Sequence, residues 1–161
     1  MKILSGKEDK EAAKFVDVAA KIALKSTCTR AQCGAIIVKD GKIIGKGYNS
    51  PPLEDENNRM CENVYLNKNG KKQKYDKTCC IHAEWRAIID ALKSHPKGIK
   101  GSTMYFMRIE DGKHTRTEPF CTVCSRLIME VGIAKSVLWQ EEGYVEYSAS
   151  EYNQASYAFF K

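Results

Sequence analysis

The sequence predicts an α/β protein in which helices and strands pack in layers. Its 161 residues are 43% hydrophobic, which is enough to bury the core of one domain of ordinary size. Helical and strand-like hydrophobic patterns follow one another in the order helix, hairpin, helix, strand, helix, strand, helix. No internal repeat interrupts this order. A single domain over residues 1–161 is therefore the expected organisation.

The first predicted elements are a helix and a β-hairpin. Residues 8–25 carry apolar side chains at helical spacing, with acidic residues early and lysines late, as the helix dipole favours. Two β-branched runs then flank the turn sequence Asp40-Gly41, which predicts strands near 34–38 and 43–48. Residues 50–78 have two prolines near their start and are rich in lysine. We expect them to form a polar insertion, an ordered loop or lid.

The second half of the chain alternates helices with strands. Residues 82–94 place their apolar side chains on one helical stripe. Residues 103–107 and 135–139 have strand-like composition, and the helix between them is expected over 122–132. The tail, residues 147–161, is rich in aromatic residues and is predicted to form a helix.

The composition predicts where the protein is located and what kind of partner it binds. The longest apolar runs are strand-length, too short to span a membrane, and the N-terminus becomes charged at once, unlike a secretory signal. We therefore expect a cytoplasmic protein with no membrane partner, whose seven cysteines are thiols or metal ligands rather than disulfides. The net charge of +6 suits partners that carry phosphate, whether a nucleotide or a nucleic acid. The lysines between residues 68 and 77 would either steer such a partner or lie solvated.

The residues that predict chemistry are a histidine, a glutamate and a pair of cysteines. His82 opens a predicted helix with Glu84 two residues later, and Cys121 and Cys124 open the next helix at C-x-x-C spacing. One imidazole and two thiolates supply three protein ligands for zinc and leave the fourth tetrahedral position to water. Glu84 is placed to take a proton from that water and return it to a substrate. Helix starts also favour thiolates, because free N–H groups and the positive end of the dipole stabilise them.

Each motif alone is a weak signal. A His-x-Glu triplet occurs by chance in many chains, and a lone C-x-x-C pair is also found in redox sites and zinc fingers. A redox pair is expected soon after the first strand, whereas this pair lies late in the chain. An inert structural zinc would leave Glu84 and the open fourth position unexplained. Together, the motifs match the signature of zinc-dependent deaminases.

The resemblance to a known family extends beyond these motifs. The segments CIHAEWRAI and PFCTVC resemble the H-A-E and P-C-x-x-C motifs of the zinc-dependent cytidine deaminase superfamily. The segment CTRAQCGAIIVKDGKIIGKGYNSPP is similar to the helix-to-hairpin region of deoxycytidylate (dCMP) deaminases. The resemblance covers roughly residues 10–140. It implies a three-layer αβα sandwich around a mixed sheet.

The resemblance also implies a reaction and its residues. Zinc would be held by His82, Cys121 and Cys124, with Glu84 as the proton shuttle and Asn49 contacting the sugar or the base. The implied reaction converts dCMP to dUMP and ammonia through attack of water at C4 of the cytosine ring. A nucleoside, a free base or a nucleic-acid base remains an alternative substrate. A non-catalytic zinc module that binds nucleotides is an alternative of another class. Relatives are commonly oligomers, so a homo-oligomer is expected.

A second zinc site is a further implication of the resemblance. Some dCMP deaminases hold a structural zinc at places resembling Cys28, Cys61 and Cys80, and Cys79 would be the candidate fourth ligand. A metal would order a long polar insertion that has little core of its own. The alternative is that these cysteines are ordinary reduced thiols. Cys33 precedes a buried strand and is expected to be a core thiol.

The chain departs from the family pattern at several positions. Phe120 stands between the proline and the first cysteine of the second motif, and the connection over residues 108–120 is longer than usual. Trp85 and Arg86 occupy the segment where an asparagine usually follows the glutamate. The closing strand that usually follows the last helix is expected to be absent or replaced. The candidates for binding a nucleotide phosphate are Arg30, Arg59 and Arg108.

Overall fold

A computed structural model describes residues 1–60 and 79–159 as one sheet with helices on both faces. The strands are β1 (Lys2–Ile3), β2 (Gln32–Lys39), β3 (Lys42–Tyr48), β4 (Thr103–Glu110), β5 (Lys113–Thr115), β6 (Lys135–Gln140) and β7 (Gly143–Ser148). The helices are α1 (Gly6–Ala23), α2 (Ala83–Ser94), α3 (Thr122–Glu130) and α4 (Ala149–Ala158). Two short 3-10 turns, Pro52–Glu54 and Glu56–Asn58, follow β3.

The sheet is mixed, and β4 lies at its centre. The strand order is β1-β7-β6-β4-β2-β3, with β5 paired to β4. The β4–β6 pair is parallel, and the other strand pairs are antiparallel. One edge of β4 pairs with β2 along its length, while the other pairs with β6 at residues 103–106 and with β5 at residues 108–110. The long connection before Cys121 therefore begins as a hairpin that extends β4 past the end of β6.

Helices cover both faces of the sheet. On β2, Ile36 and Val38 face α1, whereas Ala35 and Ile37 face α2, as the two-residue repeat of a strand requires. Helix α1 packs on one face, and α2, α3 and α4 pack on the other. The predicted three-layer αβα sandwich is therefore confirmed. No helix in the described ranges is both long and apolar enough to cross a membrane.

Two glycines allow α2 to lie directly against β3. A Cβ atom at Gly47 would stand 2.3 Å from the carbonyl oxygen of Ala83, and one at Gly45 would stand 2.4 Å from that of Ala87. A real Cβ cannot approach a backbone atom so closely, so the pair of glycines lets strand and helix touch. This contact places the start of α2 beside Asn49, which immediately follows β3.

The observed elements differ from the predicted ones at the C-terminal end. A helix is predicted over residues 147–161, but residues 147 and 148 end the strand β7, and among the described residues the helix α4 covers 149–158. The β6–β7 turn contains two glutamates before Gly143 and lacks an Asp-Gly sequence, so the hairpin signal is weak. No strand follows α4 within the described residues, which end at residue 159. Residues 61–78 of the predicted insertion lie outside the described ranges.

Candidate active site and metal centre

The starts of two neighbouring helices bring the predicted metal ligands together. His82 is the residue before α2, Cys121 is the residue before α3, and Cys124 lies in the first turn of α3. The His82 Nδ1 atom is 3.1 Å from the Cys124 Sγ and 3.5 Å from the Cys121 Sγ. The two Sγ atoms are 2.8 Å apart. These residues are the only group of three or more potential metal ligands clustered in this way within the described chain.

The donor chemistry of this group fits zinc. One imidazole nitrogen and two cysteine sulfurs are typical zinc ligands, and three protein ligands leave one tetrahedral position open. Hydrogen bonds from the Cys124 thiol and from His82, together with the Cys124 backbone N–H 3.2 Å away, lower the pKa of Cys121 to about 4. Donation by the Cys124 thiol and its burial raise the pKa of Cys124. Cys121 and Cys124 together thus favour one thiolate, and bound zinc would deprotonate the second sulfur as well.

Glu84 lies in the first turn of α2, against the predicted metal-ligating group of His82, Cys121 and Cys124. Its side chain is only 5% exposed, and its carboxyl group lies within hydrogen-bonding reach of the Cys124 sulfur. Burial raises the pKa of Glu84, and the nearby positive charge of His82 opposes that shift. A carboxyl group whose pKa is raised exchanges protons more readily near neutral pH.

Asn49 occupies a buried position at the end of β3. Its Oδ1 accepts hydrogen bonds from the Cys33 N–H and the Ser26 hydroxyl, each 2.7 Å away. Its Nδ2 donates to the Ala31 carbonyl at 2.9 Å, which uses one of the two amide hydrogens. The Ile81 N–H donates to the Ser50 carbonyl at 2.9 Å and so joins the Asn49 loop to the chain just before His82.

Arg86 reinforces this junction between α2 and the loop after Asn49. Its guanidinium donates to the Pro51 carbonyl at 2.7 Å, pairs with Glu54 at 3.3 Å and lies over the Tyr48 ring. This role was not predicted, because a single arginine on a helix is usually solvated. The sequence did mark Arg86 as unusual, because it lies in the segment where the family usually has an asparagine.

Two aromatic residues also lie close to the site. The ring of Trp85 stands 6.1 Å from that of His82, and its indole N–H has no hydrogen-bond partner among the described residues. Tyr152 of α4 is 3% exposed, and its pKa is raised by burial and by the nearby carboxylate of Glu84. The sequence did not single out Tyr152, because its place beside α3 depends on how the C-terminal helix folds back.

The residues suggested for a second zinc are brought together only in part. The Cys79 and Cys80 Sγ atoms are 3.9 Å apart. Burial, together with hydrogen bonding and charge from Cys28 and Cys79, raises the pKa of Cys80 to about 12. Cys61 lies outside the described residues. The half-buried Cys33 packs against the core as expected, and burial and the charge of Glu84 raise its pKa to about 12.

Fold and site together define a hydrolytic deaminase of the zinc-dependent class. The chain belongs to the cytidine and deoxycytidylate deaminase family, whose zinc-binding region model matches residues 9–140. The deoxycytidylate deaminase of Mycobacterium phage D29 is 30% identical over 131 residues, which make up 79% of this chain and 92% of that protein. The deoxycytidylate deaminase of Saccharomyces cerevisiae is 27% identical over 128 residues, which make up 78% of this chain but 36% of that protein.

Solved structures agree with this family. The dCMP deaminase from cyanophage S-TIM5, solved in complex with dCMP and dUMP, is 27% identical with a TM-score of 0.54, covering 83% of this chain and 82% of that chain. The cytidine deaminase from Burkholderia pseudomallei shares the fold, with a TM-score of 0.57 at 17% identity, covering 87% of this chain and 94% of that chain. The predicted family and fold are confirmed.

Proposed function

We propose that this enzyme deaminates a cytosine nucleotide, converting dCMP and water to dUMP and ammonia. The observation that carries the proposal is the buried Glu84 carboxylate against the group of His82, Cys121 and Cys124. An open metal position beside a buried acid suits hydrolysis of an aromatic amine. The relatives named as deoxycytidylate deaminases support the choice of dCMP.

Proton movement is the task of Glu84 in this proposal. A zinc ion held by His82, Cys121 and Cys124 would supply a Lewis acid that lowers the pKa of a water molecule. The Glu84 carboxylate takes a proton from the attacking water and gives it to N3 of the cytosine ring. It then carries the second proton to the departing amino group. The C4–N bond breaks as the C4=O bond of uracil forms, and ammonia leaves.

Asn49 is proposed to orient the substrate. Its Oδ1 is engaged by two donors, so its orientation is fixed, and one Nδ2 hydrogen remains for the sugar or the base. Asn49 and Glu84 are joined through the Ser50–Ile81 contact and through Arg86. Substrate positioning and proton transfer would therefore depend on one connected unit.

Ammonia release from a panel of substrates tests the proposed function. Zinc-loaded protein is given dCMP, deoxycytidine, cytosine and a cytosine-containing single-stranded DNA, and ammonia is measured for each. We expect selective turnover of dCMP. Preferred turnover of another compound in the panel would contradict the assignment of dCMP as the substrate but would support the proposed hydrolytic deamination. Zinc binding without turnover of any of them would favour the alternative of a non-catalytic binding module.

We propose a second zinc ion held by Cys28, Cys61 and Cys80. The proximity of the Cys28, Cys79 and Cys80 thiols supports this, as does the need to order a polar insertion. Metal analysis of the purified protein should give two zinc ions per chain. The Cys80→Ser variant should give one and should keep zinc at the His82 group. A native content of one zinc per chain would contradict the second site.

A further inference from the structure

Helix α4 is tied to the start of α3 by a buried polar network. Ser125, the residue after Cys124, is fully buried, and its hydroxyl lies 2.8 Å from the Asn153 Oδ1 and 2.9 Å from the Ser156 hydroxyl. The Ser156 hydroxyl in turn donates to the Asn153 carbonyl at 2.7 Å. These contacts hold α4 against the part of α3 that carries Cys124.

Tyr152 lies on the face of α4 that this network holds in place. It precedes Ser156 by one helical turn, and both side chains are buried. The Tyr152 ring packs edge-on against the ring of Tyr147, with centroids 6.1 Å apart. The Tyr147 hydroxyl accepts a hydrogen bond of 2.9 Å from the Gln140 side chain, which fixes Tyr147 as well. The position of the Tyr152 ring is therefore set by its own helix and by its aromatic neighbour.

The hydroxyl of Tyr152 is directed towards the candidate active site. The ionisable groups within electrostatic range of this hydroxyl are those of Glu84, Cys124, Cys121 and Tyr147. Three of these four groups belong to the candidate active site. The same buried cluster also contains Ala83, the residue before Glu84. Tyr152 is thus a residue through which α4 reaches the site.

The Tyr152 hydroxyl forms no hydrogen bond with any residue in the ranges 1–60 and 79–159, although the side chain is only 3% exposed. Buried hydroxyl groups in folded proteins normally have a partner, which is an ordered water molecule or a ligand where no protein group serves. A tyrosine is protonated at neutral pH, and burial raises the pKa of Tyr152 further, so this hydroxyl has a hydrogen to donate. The Glu84 carboxylate is the acceptor that lies within range.

We propose that Tyr152 is a positioning residue for Glu84, and that its hydroxyl donates a hydrogen bond to the Glu84 carboxylate through one ordered water molecule. This inference rests on the proposed function, in which Glu84 transfers the protons. The water molecule is needed because the two side chains form no direct hydrogen bond in the described structure. A carboxylate held in this way keeps its orientation while it exchanges protons with the attacking water and the cytosine ring.

The Tyr152→Phe variant tests this proposal, because it removes only the hydroxyl. Carbon-13 NMR of zinc-loaded protein with labelled glutamate carboxyl groups reports the hydrogen bonding of Glu84, whose signal is assigned by its absence from Glu84→Gln. We expect Tyr152→Phe to shift this signal. Tyr105→Phe is the matched control, because Tyr105 is also buried, at 8% exposure, but packs with α1 on the other face of the sheet. It should leave the Glu84 signal unchanged.

Kinetics measure the effect of Tyr152→Phe on the reaction. The variant should lower kcat for dCMP by about 10–100-fold, as the loss of a supporting partner does, while zinc content stays native and KM changes by less than about twofold. With Glu84→Gln already present, Tyr152→Phe should lower the residual turnover by less than about twofold, because both residues act through the same carboxylate.

Thermal melting separates this role from a structural one. Tyr152→Phe should melt at the native temperature, since the lost hydroxyl bonds no described residue. Tyr147→Phe should melt at a lower temperature, because it removes a partner of the buried Gln140 amide.

Three results would overturn the proposal: an unchanged Glu84 signal in Tyr152→Phe, a native kcat, or a loss of kcat that adds fully to that of Glu84→Gln. A loss of activity that comes with lost zinc or a lower melting temperature would also overturn it, because Tyr152 would then only support the fold. Failure of the proposed function is seen separately, as absence of ammonia from dCMP with the native protein. The NMR comparison would still decide whether Tyr152 is linked to Glu84, because it requires no turnover.

Discussion

Individual side chains at this site differ in charge state because their surroundings differ. Cys121 and Cys33 are both half-buried thiols, yet hydrogen bonds lower the pKa of Cys121 to about 4, whereas burial raises that of Cys33 to about 12. Residue type and spacing were enough to predict the group of His82, Cys121 and Cys124 that the structure brings together, and its binding of a metal stays a prediction. The sequence did not indicate the contacts of Arg86 or Tyr152, because both depend on partners distant along the chain.

Differential alkylation tests the assignment of the cysteines. In zinc-free protein at pH 8, Cys121 should react with iodoacetamide at least about tenfold faster than Cys33, since a pKa near 12 leaves about one thiolate in 10,000. Zinc should slow the labelling of Cys121 and leave that of Cys33 unchanged. Peptide mass spectrometry measures both rates. Equal labelling of the two thiols, or no effect of zinc on Cys121, would contradict the assignment.

The strands and helices position the site through the close backbone contact between β3 and α2 and through the packing of the C-terminal helix α4 against α3. The Asp40-Gly41 hairpin and the helices could be predicted because their signals are local. Strand β7 could not, since its turn has no distinctive sequence and its aromatic residues also suit a helix. The short edge strand β1 pairs with β7 across nearly the whole chain, a contact that no local pattern indicates.

Gly47 tests the contact between β3 and α2. Gly47→Ala should lower the free energy of unfolding by about 1–3 kcal/mol, because the added methyl group meets the backbone of α2 at 2.3 Å. The control is Gly98→Ala, whose new atom would have no neighbour closer than 3.4 Å and which should be neutral or slightly stabilising. Urea denaturation measures both variants. Equal stability of the two would contradict the close packing of strand and helix.

Tyr152 tests how firmly α4 covers the site. Tyr152→Ala should cost about 3–5 kcal/mol of unfolding free energy, because it empties a position that is 3% exposed beside Glu84. Tyr157 lies on the same helix but is 53% exposed, so Tyr157→Ala should cost less than about 1 kcal/mol. If thermal and urea denaturation gave both variants the same loss, α4 would not be packed as described.

At the scale of the whole molecule, the predicted zinc would join two helices on one face of the sheet. Its proposed ligands lie at the starts of α2 and α3, and α3 in turn packs against α4. The layered α/β organisation follows from the hydrophobic pattern, and the three layers around a mixed sheet follow from the family resemblance, whereas the strand order was not predicted. The single domain and the homo-oligomer stay predictions, and light scattering of the purified protein addresses the second.

Metal removal tests how much the predicted zinc between α2 and α3 contributes to the stability of the fold. A ligand present at about a thousand times its dissociation constant stabilises a fold by about 4 kcal/mol. For a chain of this size that corresponds to a melting temperature lowered by about 10 °C on chelation. Calorimetry before and after chelation, followed by addition of zinc, should show this loss and its recovery. A melting temperature unaffected by zinc would contradict a metal centre that joins α2 and α3.

The measurement that tests the central claim most directly is the effect of Glu84→Gln on ammonia release from dCMP, with zinc content determined on the same samples. The control is Glu130→Gln, an exposed glutamate at the end of α3. We expect Glu84→Gln to lower kcat by at least about a hundredfold while zinc content stays at the native level, since general acid–base transfer contributes about 10²–10⁴ in rate. The control should keep native activity. Native turnover by a zinc-loaded Glu84→Gln protein would contradict the account.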